Sequence, residues 1–149
     1  PRVQHCAYDL LVGDVRVQLK SCRIADSMPL QLRRGGVYNR RQYQLTDFDA
    51  LMHLGRADDP NEILSLFVVP SSELFIREYM GQQRKSGNFG FYLPGAVPKS
   101  KRCKEAQAWQ AEYFFDPKTL LHDRNEQERF TRILDRSRVM RERLTLKAS

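Results

Sequence analysis

The chain has 149 residues, 41% of them hydrophobic and 29% charged, which is enough for one packed domain and too few for two. Lys and Arg outnumber Asp and Glu by 25 to 18, a formal charge of +7, so the surface attracts polyanions: nucleic acid first, an acidic membrane second. The 3 cysteines (Cys6, Cys22, Cys103) are widely spaced with no C-x-x-C, which argues against a disulfide framework or zinc knuckle and for an intracellular, cytoplasmic setting; no apolar run is long enough to span a membrane.

The chain begins at Pro1 and enters a strand pattern almost at once, which suggests a preceding segment in a longer parent. Tyr8 to Val12 is apolar apart from Asp9, Gly13-Asp14 interrupts it, and Val15 to Lys20 alternates strictly, which predicts a β-hairpin on a type II′ turn. Residues 26–44 carry Pro29, Gly35-Gly36, arginines and tyrosines, the composition of a long loop or loose hairpin with a basic, aromatic tip. "YQLTDFDALMHLG" reads as a strand, "ADDPNE" as a turn, and "ILSLFVVP" as a strand buried on both faces that Pro70 ends. "SSELFIREYM" predicts a short helix capped by Ser71 or Ser72 and stopped by Gly81. From Gln82 to Lys104 Gly and Pro predict loop, with one short strand at Phe89 to Leu93. "EAQAWQAEYFF" is compatible with helix or strand, and Asp116-Pro117 ends it. Residues 125–143 repeat Phe130, Ile133, Leu134 and Met140 at helical spacing, a C-terminal amphipathic helix within a single 1–149 domain.

The hairpin carries the chemistry. With Gly13 and Asp14 in the turn, Val12 faces Val15, and counting back sets Asp9 opposite Gln18, their Cβ atoms about 5 Å apart. Lys20 stands on the same face one repeat further on. A carboxylate, an amide oxygen and an ammonium so gathered suit metal-assisted phosphodiester hydrolysis. Asp9 is the main ligand for a hard cation such as Mg²⁺, Gln18 and the Leu19 carbonyl add neutral oxygens, and Lys20 orients the attacking water and offsets charge on phosphorus.

"YD", the hairpin and "VQLK", followed by a basic loop, "TDFDALMHLG" and an apolar strand that ends in Pro before a short helix, resemble the PD-(D/E)XK nuclease superfamily over roughly residues 7 to 79. The variant is the one with Gln in the acidic position, as in some group I intron homing endonucleases. The resemblance implies an α/β restriction-endonuclease-like core, a central mixed sheet flanked by helices, and Mg²⁺-dependent cutting of double-stranded DNA. It assigns Asp9 to the motif Asp, Gln18 to the acidic-or-Gln position and Lys20 to the motif Lys. Ala7-Tyr8 stands where the motif prefers Pro, and the Glu that many relatives add from an upstream helix has no counterpart among residues 1–8.

Two basic segments suit phosphate and groove contacts on DNA: Arg33, Arg34, Tyr38, Arg40, Arg41 and Tyr43, and Lys99, Lys101, Arg102 and Lys104. Cutting both strands needs two sites, hence a homodimer or higher homo-oligomer. The arginines of the last helix form a salt-bridged exposed face or a dimer-facing one. Asp47 and Asp49 are either a second carboxylate pair or a solvated strand end. His53 reads as a hydrogen-bonded core residue, Trp109 with Tyr113, Phe114 and Phe115 as core, and Cys22 has no His or acid close in sequence to make it a nucleophile. The rival reading is a non-catalytic nucleic-acid-binding protein on the same fold.

Overall fold

A computed structural model describes residues 8–25, 27–30, 33–34, 41–81 and 89–148. Its sheet grows from the two apolar patterns. In β2 (Val15–Arg23) Val15 and Val17 turn inward on one face, and in β7 (Ile63–Pro70) every residue from Ser65 to Pro70 is buried, as a strand covered on both faces must be. With β1 (Leu10–Val12), β6 (Ala50–Arg56) and β9 (Phe114–Phe115) they form a five-stranded sheet in the order β1-β2-β6-β7-β9. β2 and β6 run parallel and the other neighbours antiparallel, so the sheet is mixed and, with helices on its faces, the fold is α/β.

Long helix α4 (Arg124–Ala148) covers one face, where Phe130, Ile133 and Leu134 meet Val15, Val17, Leu66, Val68 and Phe115 in the core. The other face is covered by a two-stranded ribbon of β3 (Ser27–Leu30) and β8 (Phe89–Tyr92), whose Phe91 lies 4.7 Å from the rings of both His53 and Phe67. Helix α2 (Lys101–Gln110) fastens to this ribbon through Gln110, whose amide donates to Gly90 O at 2.8 Å and accepts from the Tyr92 N–H at 2.9 Å. The ribbon comes close at Gly55, where a Cβ would stand 2.1 Å from Ser65 Oγ and 3.3 Å from Met28 Sδ. No helix among the described residues is long and apolar enough to cross a membrane.

Most predicted elements are present, and the differences have local causes. The strand expected over residues 43–55 is a strand only from Ala50. Before it, the Asp47 N–H donates to Gln44 O at 2.9 Å to close a turn, and the Asp47 carboxylate accepts the Gln44 N–H at 2.8 Å. Residues 26–44 are not a single loop or loose hairpin: β3 joins β8 in the ribbon, and only β4 (Arg33–Arg34) and β5 (Arg41–Gln42) pair with each other, while residues 35–40 lie outside the described residues. Helix α1 (Ser71–Ile76) has Pro70 as N-cap without a side-chain cap, and it ends before Gly81 because Glu78 adopts φ 64°. The Tyr79 N–H reaches Leu74 O and the Glu78 N–H reaches Phe75 O, the paired bonds of a Schellman ending, with Glu where glycine is usual.

Lys101 to Lys104 are helix rather than loop, because the Ser100 hydroxyl caps the Cys103 N–H. "EAQAWQAEYFF" is both helix and strand: α2, a 3₁₀ turn over Ala111–Tyr113, then β9. Asp116-Pro117 ends that stretch and also starts α3 (Pro117–His122), with Asp116 as cap and Pro117 in the first turn.

Candidate functional site

The hairpin register is the one that the Gly13-Asp14 turn dictates: Val12 faces Val15, Leu11 faces Arg16 and Leu10 faces Val17. Gly13 takes φ 60° and Asp14 keeps a negative φ, as a type II′ turn requires. The Asp9 N–H extends the ladder to Val17 O at 2.9 Å and brings its carboxylate beside Gln18. Asp9 Oδ2 accepts from Gln18 Nε2 at 2.7 Å and from the Leu19 N–H at 2.8 Å, while the same amide nitrogen lies 3.3 Å from Leu19 O. Gln18 is buried and Asp9 exposed, so the amide forms the floor of the arrangement and the carboxylate its rim.

Lys20 shares this face by strand alternation, and its Nζ lies 5.5 Å from the centroid of the Tyr43 ring. Arg16, two residues before Gln18, is on the face too; its Nη1 donates to Thr46 O at 2.9 Å and its guanidinium carbon lies 5.9 Å from the Tyr8 ring centroid. Asp9, Gln18 and the Leu19 carbonyl are therefore brought together beside the edge strand β1, and Lys20 shares their face one repeat further along β2. Alternation along β2 puts Arg16 on this face, as it does Gln18 and Lys20, whereas no local pattern announces Tyr43 as a neighbour of Lys20.

The other acids are engaged elsewhere. Asp47 is the turn residue described above. Asp49 is fully buried just ahead of β6, accepting from Arg141 Nε at 2.8 Å through Oδ1 and from the Arg16 N–H at 2.8 Å through Oδ2. They are neither a carboxylate pair on a strand nor a solvated strand end, since both carboxylates serve as internal acceptors. Arg141 likewise leaves the exposed face expected of the last helix. Arg138 pairs with Glu142 at 3.2 Å on that face, as the charge pattern predicts. Among the described residues no group of three His, Cys, Asp or Glu side chains is placed to hold a metal ion.

His53 is a core residue, fully buried against Phe91, and burial pushes its imidazole down to about 4. Parallel pairing of β2 with β6 brings it to Cys22, with Nε2 3.6 Å from Sγ, while its Nδ1 is buried without a hydrogen-bond partner. Burial raises the Cys22 thiol, against a smaller opposing effect of Arg56. Both members of the pair are thereby kept neutral, so this is a thiol–imidazole contact and not an activated nucleophile. Tyr113 and Phe115 are core as expected, whereas Trp109 is half-buried with the Arg77 guanidinium carbon 4.4 Å from its ring centroid.

Of the basic segments, Lys99, Lys101, Arg102 and Lys104 are exposed at the start of α2, on the side of the sheet that carries Asp9, Gln18 and Lys20. The first turn of α2 contains no acid, so cations stand at the positive end of the helix dipole. Arg33, Arg34 and Arg41 belong to the β4–β5 hairpin, while Tyr38 and Arg40 lie outside the described residues.

No family model matches the chain, and no curated protein matches it. Among solved structures it is similar to the crystal structure of MepB, with a TM-score of 0.54 over 70% of this chain and 73% of that chain at 18% identity. A likeness at that identity is one of fold alone, and no residue role crosses with it.

Proposed function

We propose that the chain is a Mg²⁺-dependent endonuclease that hydrolyses phosphodiester bonds in duplex DNA. The observation that carries this reading is the convergence of Asp9 Oδ2, the Gln18 amide and Leu19 O on the face that Lys20 shares.

The donors fit a hard cation. The two ends of an amide exchange places by a half-turn about its last side-chain bond. With its oxygen where the nitrogen stands, Gln18 has acceptor oxygens 2.7 and 3.3 Å away. Those spacings bracket the roughly 2.9 Å that separates neighbouring oxygens around Mg²⁺. Asp9 contributes the negative charge, and Gln18 and Leu19 contribute neutral oxygens. A bound Mg²⁺ would supply Lewis-acid polarisation of the phosphate and a more acidic water. Lys20 presents donors to the attacking water and positive charge to the phosphate oxygens as charge develops there. The buried Gln18 keeps bulk water from the inner side of the site.

The exposed Lys99, Lys101, Arg102 and Lys104 provide a phosphate grip on the same side, and a polyanion there relieves the clash of like sign at the start of α2. Arg33, Arg34, Tyr38, Arg40 and Arg41, in and around the β4–β5 hairpin, make a second grip on the duplex. Two-strand cutting is the work of a symmetric homodimer or higher homo-oligomer. A second reading, a non-catalytic nucleic-acid-binding protein, is favoured by one observation: among the described residues Asp9 is the only carboxylate in this group.

Supercoiled plasmid incubated with the protein and Mg²⁺ separates the two. Nicking that needs Mg²⁺ and disappears in Asp9→Asn and Lys20→Ala supports the enzyme. Retention of the plasmid in a gel-shift with no nicking by any of the three proteins leaves the binding module.

A further inference from the structure

Lys20 raises a problem of positioning. Its backbone is fixed by pairing with His53 of β6, but the ammonium stands at the end of a four-carbon stem with many rotamers. A carboxylate partner would hold it and also cancel the charge that an anionic substrate needs. No carboxylate among the described residues pairs with Lys20; it meets the face of an aromatic ring, its Nζ 5.5 Å from the Tyr43 centroid.

Tyr43 follows the arginine-rich hairpin directly, where an exposed aromatic ring would suit contact with bases. Its ring is buried instead, at 4% exposure. Phe48, itself fully buried, packs edge-on against it at 5.2 Å and 79°. The Tyr43 carbonyl accepts the Gly81 N–H at 2.9 Å, which ties this position to the segment after α1. The ring is thus held by the core on one side and meets the ammonium on the other. An aromatic quadrupole attracts a cation without neutralising it.

We propose that Tyr43 is a positioning residue, whose ring holds the Lys20 ammonium in place while leaving its full charge for the scissile phosphate. This rests on the nuclease reading above. Tyr43→Phe keeps the ring face and Tyr43→Leu removes it. Two measurements on the folded variants test the assignment: the NMR shift of the Lys20 ε-methylene protons, which a ring beneath them moves upfield, and Mg²⁺-dependent plasmid nicking with kcat separated from KM.

The expected result is an upfield Lys20 signal in wild type and Tyr43→Phe that is lost in Tyr43→Leu. Alongside it kcat falls by about tenfold in Tyr43→Leu only, with KM within about twofold of wild type. An active wild type whose Lys20 signal sits at its ordinary position overturns the assignment of Tyr43 alone, as does a Tyr43→Leu variant with unchanged kcat. A wild type that nicks no plasmid overturns the nuclease reading beneath it.

Discussion

Arg141 near the end of α4 donates through Nε to Asp49 Oδ1 at 2.8 Å, a bond between residues 92 positions apart. The Asp49 side chain is 1% exposed, and its other oxygen accepts the backbone N–H of Arg16 on β2. One carboxylate therefore joins the last helix to the strand that carries Gln18 and Lys20. Arg141→Met leaves that carboxylate buried with Arg16 as its remaining cation, its Nε 3.6 Å away. The expected loss is about 3 kcal/mol, or roughly 10 °C in thermal unfolding. Adding Asp49→Asn should cost much less than the sum of the single changes, and a double-mutant cycle measures the coupling.

Gln18→Glu tests the donor set without any assay of cleavage. The substitution replaces a 2.7 Å hydrogen bond to Asp9 by two carboxylates side by side. Without metal the variant should lose about 1–2 kcal/mol. Millimolar Mg²⁺ should raise its melting temperature more than it raises that of wild type, because two carboxylates bind a divalent cation better than one. A melting temperature that Mg²⁺ leaves unmoved in both proteins would count against metal binding at this position.

His53 sets a pH dependence of stability. Its folded-state value of about 4 lies below the ordinary 6.5, so the unfolded chain takes up a proton that the folded one refuses. The stability is fully present above pH 6.5 and falls as pH drops from there toward 4, by up to about 3 kcal/mol. In His53→Gln the unfolding free energy measured across that interval should flatten.

At Gly55 the expected effect is steric. A Cβ there meets Ser65 Oγ at 2.1 Å, and that hydroxyl is buried without a partner. Gly55→Ala should cost about 2 kcal/mol through overpacking. Ser65→Ala alone should be near neutral, since no hydrogen bond is lost. The double variant should recover most of the loss, and the Ser65 Cβ, 3.3 Å from the added atom, limits the recovery. Urea denaturation of the three variants measures the set.

What the sequence made legible was what is local. Strict alternation and a two-residue turn fix which side chains of a hairpin share a face, so Asp9, Gln18 and Lys20 could be grouped by counting. The buried strand from Ile63 and the last helix were equally plain from their apolar spacing. Relations set by long-range pairing were not. Cys22 reaches His53 because β2 and β6 lie side by side and parallel, and nothing near either residue encodes that. Asp49 has the look of a solvated acid until α4 supplies Arg141. The missed starts of α2 and α3 are a different matter, since Ser100, Asp116 and Pro117 are helix-starting residues that the sequence displays. At α2 the basic first turn, against the dipole rule, masked the signal.

The Arg141 to Asp49 bond also orders events in time. During synthesis the hairpin can close as soon as its own residues emerge, since Gln18 and Asp9 are 9 positions apart. The partner of Asp49 is made 92 positions later, and α4 must dock before the strand beneath the site is anchored. A ribosome-bound chain paused before α4 should thus hold a formed hairpin on an unfinished sheet. The face that carries Gln18 and Lys20 is anchored only once Arg141 of α4 reaches Asp49.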